Sequence, residues 1–199
     1  HVKHIIVGYD HHFGRNRTAN ITDLKEFGAF YGFKVTEISA QEVGDVAVSS
    51  TKIRNALGEG AIKIANEFLG YNFMINGTVI KGKGLGKTIQ FPTANLKIEE
   101  SYKLIPKKGV YLVQAIIDSK LVYGMLNIGT NPTVSDTNEL SIEVFFFDFN
   151  QTLYGEVLTI EFLDRIRDEI KFSGLQGLKS QLEQDQQAAF AKIALLTKN

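Results

Sequence analysis

The hydrophobic periodicity of the chain changes near residue 72, and this change restricts the possible folds most strongly. Beyond that point, short apolar or alternating runs are separated by Gly, Pro, Asn and Asp, which is the pattern of strands and turns. The predicted strands cover residues 73–80, 93–96, 110–117, 121–128, 141–148 and 157–163. Six short strands favour a closed antiparallel β-barrel, because closure removes exposed sheet edges. A terminal helix, predicted from residue 173 to about residue 196, packs against this barrel.

The first seventy residues instead alternate between strand and helix signals. The predicted elements are strands at 4–7 and 33–38 and helices that begin near residue 22, run from 50 through 57, and cover 61–69. Ser50 is a good N-cap for the second helix, and Gly70 ends the third. Two or three strands cannot complete a helix-covered parallel sheet, so this α/β segment is incomplete. The predicted fold class is therefore α+β, with an incomplete α/β segment at 1–70 and a barrel domain at 71–199.

Composition excludes several function classes. The 199 residues contain 22 Lys+Arg and 22 Asp+Glu, and this neutral balance argues against a general nucleic-acid binder. The chain has no Cys, which excludes disulfides, thiol catalysis and thiolate metal sites. No run approaches the ~20 apolar residues of a membrane span, and no secretory signal is visible. We expect a cytoplasmic protein without nucleic-acid or membrane partners, and His1 in place of an initiator Met suggests a fragment.

A Gly-rich segment at 79–96, VIKGKGLGKTIQFPTANL, is the densest group of chemically informative residues. The triplet GKT at 86–88 suggests a P-loop, but that motif needs Gly where Lys81 stands, and a proline interrupts the helix that should follow. What remains is a mobile Gly-rich hairpin bearing Lys83 and Lys87. Glycines at alternate positions allow the backbone to approach a phosphate closely. An ordinary glycine-rich turn is an equally good interpretation of this segment alone.

The motif PTAN directly follows this hairpin. Pro92 sets the entry of a strand, on which the Thr93 hydroxyl and the Asn95 amide point to the same side. Hard oxygen ligands of this kind suit Mg²⁺, which takes its remaining ligands from water and nucleotide phosphates. Without further context, a Thr and an Asn on a strand are more often ordinary polar surface residues.

These motifs and later ones resemble, in order, those of riboflavin kinases, including the kinase half of bifunctional prokaryotic riboflavin kinase/FMN adenylyltransferases. The matching motifs are PTAN at 92–95, GVY at 109–111, GMLNIGTNPT at 124–133, SIEV at 141–144, LYG at 153–155 and RIRDEIKF at 165–172. The resemblance implies transfer of the γ-phosphoryl group of Mg-ATP to the ribityl 5′-hydroxyl of riboflavin, which gives FMN. Two residues of the Gly-rich flap, here residues 81–91, depart from the family pattern: Gln90 replaces a usual Gly and Leu85 a frequent basic residue.

Roles in the kinase are implied residue by residue. Thr93 and Asn95 would hold Mg²⁺ together with the ATP phosphates, and Glu143 would be the general base. The remaining implied residues are Gly82, Lys83, Gly84 and Lys87 on the nucleotide side and Arg167 and Phe172 on the flavin side. From the residues alone, Glu143 on an alternating strand would face solvent, and Arg167 would pair with Glu169 or Asp168.

Two further stretches, 7–17 and 48–54, resemble downstream motifs of the adenylyltransferase half of the same bifunctional enzymes. The residues implied there are Asp10, Arg15, Ser50, Thr51 and Arg54. The last three would converge on an anion at a helix start. The family's upstream H-x-G-H motif is absent, since His1 and His4 have the wrong spacing. We therefore expect no adenylylation of FMN by this chain, whereas a full-length protein would catalyse it.

Two other functions are weighed against the kinase. One is a flavin- or nucleotide-binding barrel without turnover, in which the departures in the flap mark a loss of activity. The other is a small barrel that binds single-stranded nucleic acid, which the neutral charge disfavours. Aromatic runs such as 145–147 also suit a core better than a stacking surface.

Overall fold

The computed structural model describes residues 1–40, 42–43, 46–82, 84–130 and 140–197 of the chain. The chain divides into two compact units, His1–Ser49 and Ser50–Asn199. This division precedes the predicted domain boundary at residue 70, because the helices between residues 50 and 69 pack on the barrel core. Residue 70 as a boundary between functional domains stays a prediction.

The first unit is built around a parallel pair of strands joined by a helix. Its elements are β1 (His4–Gly8), a 3-10 helix (Arg15–Arg17), α1 (Ile21–Tyr31), β2 (Lys34–Ile38), β3 (Glu42–Val43) and β4 (Val46–Ala47). Strands β1 and β2 are parallel, and β3 pairs with β4 in antiparallel register. Asn20 caps α1 by accepting the Thr22 N–H, while the Asp23 carboxylate accepts the Asn20 N–H. This reciprocal capping starts the helix one residue before its predicted beginning.

The described residues of the second unit form the barrel and four helices. Its elements are α2 (Ser50–Glu59), α3 (Ile62–Leu69), β5 (Met74–Ile80), α4 (Leu85–Thr88), β6 (Ala94–Lys97), β7 (Gly109–Ile117), β8 (Lys120–Thr130), β9 (Leu140–Phe146), β10 (Val157–Arg167) and α5 (Leu175–Leu196). The strands close in the order β10-β5-β6-β9-β8-β7, and every neighbouring pair is antiparallel. The predicted six-stranded antiparallel barrel and terminal helix are confirmed. Within the described part of the chain, no helix has both the length and the apolarity to cross a membrane.

Three local predictions need correction. Helix α2 begins at Ser50, so Ser49 occupies the N-cap position, a one-residue difference that is common at helix ends. The Gly-rich hairpin contains the helical turn α4, which follows Gly84 in a left-handed conformation with φ of 72°. Strand β10 continues to Arg167 rather than to residue 163. Register shifts after Phe162 and Arg165 break its alternation, which hides the second half of the strand from a pattern of period two.

Two apolar clusters lie on the two faces of the barrel wall, one inside the barrel and one outside it. The first fills the interior with alternate strand residues, among them Ile75, Leu96, Tyr111, Leu126, Val144 and Phe162, and extends to Leu57 and Ile62 of the helices α2 and α3. The second lies outside the wall, where Val110, Leu112 and Met125 meet Ala189 of α5 and Phe91 of the flap. One end of the outer face is thus covered by a helix and the flap. Polar residues on this face can therefore line an enclosed site.

Candidate active site

Three polar residues stand side by side across three neighbouring strands. Asn95 of β6 pairs in register with Glu143 of β9, and Glu143 pairs with Asn127 of β8. Directly opposed residues share one face of a sheet, with Cβ atoms about 4.5–5.5 Å apart. The next residues along two of these strands, Val144 and its partner Leu126, belong to the interior core. Asn95, Glu143 and Asn127 are here named the polar row, and alternation places this row on the outer face of the barrel.

Two hydroxyl groups hold the Glu143 carboxylate. The Thr93 Oγ1 donates to Glu143 Oε2 over 3.0 Å, and the Ser141 Oγ donates to Oε1 over 3.0 Å. Each carboxylate oxygen thus has a fixed partner, and the carboxylate plane is oriented. Thr93, Asn95 and Glu143, which the sequence predicted to act together, lie at one point of the barrel wall. Ser141 and Asn127 complete the group, although the sequence reasoning assigned them no role.

A cavity of about 250 Å³, here named the helix-side cavity, adjoins this group. Its polar lining includes Thr93, Asn127, Glu143, Arg167 and Glu169. The rest of its wall is mostly apolar and comes from the flap, the outer face of the strands, Phe172 and α5. Glu143, Arg167 and Phe172, predicted as the base and the flavin-side residues, therefore line one cavity. An apolar pocket with a few convergent polar groups is the usual form of a small-molecule site.

A second cavity, of about 190 Å³, lies on the other side of Thr93 and is named the loop-side cavity. The flap contributes Lys87 to it, and the segment between β9 and β10 contributes residues 149–154. Thr93 lines both cavities, whereas Glu143 lines only the helix-side cavity and Lys87 only the loop-side cavity. A ligand in each cavity would thus meet the other at Thr93.

The flap lies directly on Asn95. A Cβ atom at Gly82 would stand 2.1 Å from Asn95 Nδ2, so only glycine allows this approach. Gln90, which departs from the family's usual Gly, has a φ of 70°, in the left-handed region that favours glycine. Lys83, a predicted nucleotide contact, and the side chain of Leu85 lie outside the described residues. The flap therefore approaches a predicted metal ligand closely through its backbone at Gly82.

Arg167 pairs with Asp185 rather than with Asp168 or Glu169, which lie close to it in sequence. Its Nε donates to Asp185 Oδ1 over 2.8 Å and its Nη2 donates to Asp185 Oδ2 over 2.7 Å. Arg167 Nη1 donates to the backbone oxygen of Asp168 at 2.9 Å, whereas the Asp168 carboxylate pairs with Arg165. The expectation of an ion pair with Glu169 or with the Asp168 side chain is wrong. Periodicity placed Asp185 among the apolar residues of the terminal helix but gave it no role and no partner.

A second charged cluster joins α3, β10 and α5. Asp164 accepts hydrogen bonds from Lys192 and forms an ion pair with Lys63 at 3.2 Å. Burial disfavours the charged carboxylate and acts to raise its pKa. Hydrogen bonds from Lys192, Lys63 and the Arg165 backbone N–H, with the positive charge of Lys192, together outweigh burial and lower the pKa of Asp164. The cluster therefore contributes to stability only while Asp164 is ionised.

The residues implied for adenylyl transfer lie in both units. Asp10 follows β1 and Arg15 begins the 3-10 helix of the first unit. Ser50, Thr51 and Arg54 lie in the first turns of α2, where Ser50 and Arg54 share one helix face. Their role stays a prediction.

Hard oxygen atoms are available for a metal ion at the polar row. Among the described residues, no group of three or more His, Asp or Glu side chains is arranged to hold one. The Thr93 hydroxyl proton points to Glu143, which leaves the lone pairs of its oxygen for a cation. With the Asn95 amide oxygen this donor set fits Mg²⁺, which keeps several waters and binds through few protein ligands.

Comparison with known families gives two matches. The family model described as riboflavin kinase matches residues 69–193, and that described as FAD synthetase matches residues 1–52. The first covers the barrel, the flap and most of α5. The second covers the first unit and the start of α2.

Individual proteins are similar to this chain over most of its length. The chain is 43% identical over 196 residues to a bifunctional riboflavin kinase/FMN adenylyltransferase of Listeria monocytogenes, covering 97% of this chain and 62% of that protein. It is 37% identical over 200 residues to the Bacillus subtilis protein of the same description, covering 99% and 62%. A crystal structure described as a macrolide-efflux protein from Streptococcus pneumoniae has a TM-score of 0.81 and 35% identity, covering 92% of this chain and 59% of that one. The chain thus spans about three fifths of the length of the curated relatives it matches.

Proposed function

The chain belongs to the riboflavin kinase family, and on this basis we propose that its barrel transfers the γ-phosphoryl group of Mg-ATP to the ribityl 5′-hydroxyl of riboflavin. The observation that carries the proposal is the position of Thr93. Thr93 lines two cavities, and its hydroxyl donates a hydrogen bond to Glu143, the only proposed base in the polar row. Two substrates placed in the two cavities would meet at this point.

The chemistry of the two cavities distinguishes the two substrates. The loop-side cavity has Lys87 and the flap beside it, and these groups suit the phosphates of ATP. The helix-side cavity has mainly apolar walls with Phe172 and Arg167, which suit the planar and uncharged ring of riboflavin. Its polar end, with Glu143 and Asn127, would then receive the ribityl hydroxyl groups.

Glu143 acts as the general base in this proposal. Its carboxylate takes the proton of the 5′-hydroxyl as that oxygen forms a bond to the γ-phosphorus. The bond from the γ-phosphorus to the β,γ-bridging oxygen breaks, and ADP leaves with that oxygen. Hydrogen bonds from Thr93 and Ser141 orient the carboxylate before substrate arrives. Phosphoryl transfer needs mainly such positioning and charge neutralisation.

Thr93 and Asn95 would hold Mg²⁺, which neutralises phosphate charge when it is bound. Gly82 of the flap packs closely against the Asn95 side-chain amide, and this packing limits the orientations that the amide can take. The close packing of flap and amide keeps the predicted ligand aligned with Thr93, two residues earlier on the chain.

A second activity is proposed for a protein that carries a whole adenylyltransferase domain. The FAD synthetase match at residues 1–52 and the bifunctional names of the relatives support adenylylation of FMN there. Asp10, Arg15, Ser50, Thr51 and Arg54 would belong to that second site.

The kinase proposal is tested by measuring FMN formed from riboflavin and Mg-ATP by liquid chromatography. We expect Glu143→Gln to lower kcat by roughly 10²- to 10⁴-fold, the usual contribution of a general base. Riboflavin affinity, measured by flavin fluorescence, should change less than threefold, an order-of-magnitude bound for an isosteric change. The control is Glu156→Gln, an exposed carboxylate outside both cavities, which should keep full activity.

Two outcomes would contradict the proposal at different points. Full turnover by Glu143→Gln would remove the base assignment. Binding of riboflavin without any FMN formation by the unsubstituted chain would instead favour a non-catalytic flavin-binding barrel.

A further inference from the structure

A buried carboxylate interrupts the apolar face of α5. Leu178, Leu182, Ala189 and Ile193 of this face pack against the outside of the barrel. Asp185 lies among them at helical spacing and is only 2% exposed. A buried charge is costly unless it is paired and hydrogen-bonded, so the Asp185 carboxylate needs a partner in this position.

Arg167 and Gln181 satisfy this carboxylate completely. Asp185 Oδ1 accepts from Arg167 Nε at 2.8 Å and from Gln181 Nε2 at 3.0 Å. Asp185 Oδ2 accepts from Arg167 Nη2 at 2.7 Å and from Nε at 3.0 Å. The bidentate contact fixes the plane of the guanidinium group and cancels its charge.

The guanidinium group keeps donors for a ligand. Its Nη1 donates to the backbone oxygen of Asp168, so three of its five N–H groups have acceptors within the described residues. Arg167 is 15% exposed in its side chain and lines the helix-side cavity. Its guanidinium carbon lies 6.0 Å from the centre of the Phe172 ring, which lines the same cavity. Two N–H groups of this charge-paired guanidinium group, whose plane the bidentate contact orients, thus have no acceptor among the described residues.

We propose that Asp185 is a positioning residue for riboflavin. It holds the guanidinium plane of Arg167 so that the remaining N–H groups meet an uncharged acceptor of the flavin, such as a ring carbonyl. Because Asp185 cancels the charge of Arg167, the pair favours a neutral acceptor over a phosphate. The inference rests on the proposed function in one respect, namely that the helix-side cavity receives the flavin.

The same pair couples α5 to the substrate. Asp185 belongs to α5, whereas Arg167 ends β10. A ligand held by Arg167 is therefore held through α5 as well. Riboflavin should stabilise the docking of this helix on the barrel. A change at Asp185 should weaken riboflavin binding without altering the loop-side cavity, where ATP is proposed to bind.

The test is Asp185→Asn, with riboflavin affinity measured by quenching of flavin fluorescence and with steady-state kinetics for both substrates. We expect roughly tenfold weaker riboflavin binding and a matching rise in KM for riboflavin, while kcat and KM for ATP change less than about twofold. Glu183→Gln, on the exposed side of the same helix, is the matched control and should bind riboflavin normally.

A double-mutant cycle separates positioning from a merely structural role. Arg167→Met should weaken riboflavin binding, and adding Asp185→Asn to it should cause less than about a twofold further loss. If Asp185→Asn fails to fold, Arg167→Met/Asp185→Leu replaces the buried pair with apolar side chains, an exchange that proteins often tolerate. This folded variant should bind riboflavin as weakly as Arg167→Met.

Three results would overturn the inference. They are normal riboflavin binding by Asp185→Asn, normal binding by the folded apolar pair, and full additivity of the two single changes. Binding is measured without turnover, so the inference can hold or fail independently of kinase activity. A chain that binds riboflavin through this pair but makes no FMN would refute the proposed reaction and leave the positioning role in place.

Discussion

Gly82→Ala tests the contact between the flap and the Asn95 amide. Gly82 does not have a positive φ, so alanine fits its backbone conformation without strain. The added Cβ would stand 2.1 Å from Asn95 Nδ2, whereas ordinary contact begins near 3.4 Å. The amide must therefore move by about 1.3 Å, the difference between these two distances. A misplacement of about 1 Å at a reacting group can cost 10²-fold in rate.

We expect Gly82→Ala to lower kcat/KM for ATP by roughly 100-fold, because Asn95 no longer aligns with Thr93. Flavin binding should stay within about threefold, since neither Gly82 nor Asn95 lines the helix-side cavity. The assay is FMN formation at saturating riboflavin over a range of ATP and Mg²⁺ concentrations. A higher Mg²⁺ requirement should accompany the loss.

The matched control is Gly58→Ala on the exposed side of α2, where an added Cβ meets nothing within 4 Å. It should keep full activity and raise stability by about 0.5–1 kcal/mol, since alanine favours a helix interior over glycine. Unchanged kcat/KM for ATP in Gly82→Ala would refute the reasoning, because the alignment of Asn95 would then be unnecessary.

Two further predictions concern stability. Asp164→Asn should destabilise the second unit by about 2 kcal/mol at pH 7, because Lys63 and Lys192 lose a charged acceptor. The folded-state pKa of Asp164 is lowered, so its contribution is complete above the unfolded value near 3.9 and declines as pH falls below it. Urea unfolding should therefore show a difference from the unsubstituted chain at pH 7 that narrows at pH 3, and a constant difference would contradict the ion-pair explanation. Phe162→Ala should cost about 3–5 kcal/mol, since the fully buried ring packs on Phe73 and Tyr111; a loss below about 1 kcal/mol in the same assay would argue against this core.

The sequence predicted the barrel well because alternation reports strands directly. Each predicted strand corresponds to an observed one, and Gly70 ends α3 in a left-handed conformation as expected. Alternation failed at β10, where two register shifts break the period and extend the strand to Arg167. A bulge adds a residue on one strand without a matching signal in its own sequence.

The residue types of the site were also predictable, but their pairing was not. Thr93, Asn95 and Glu143 belong to motifs that imply their roles, and the structure brings them together. Asn127 and Ser141 stand in the quoted motifs as well, yet only strand register and hydrogen bonding reveal that they lie beside Glu143.

Asp185 shows the limit of reasoning from local spacing. Sequence proximity suggested Asp168 and Glu169 as partners of Arg167, because both lie within two residues of it. The actual partner is 18 residues away and faces β10 only because α5 docks on the outer face of the barrel. A long-range ion pair of this kind follows from packing rather than from any local pattern.

The most direct test of the whole account is a crystal structure with riboflavin, Mg²⁺ and a non-hydrolysable ATP analogue bound together. The flavin ring should lie in the helix-side cavity, with the 5′-hydroxyl within hydrogen-bonding distance of Glu143. The γ-phosphate should reach Thr93 from the loop-side cavity. Flavin bound elsewhere, or a γ-phosphate remote from Thr93, would contradict the claim that two substrates meet at this point of the barrel wall.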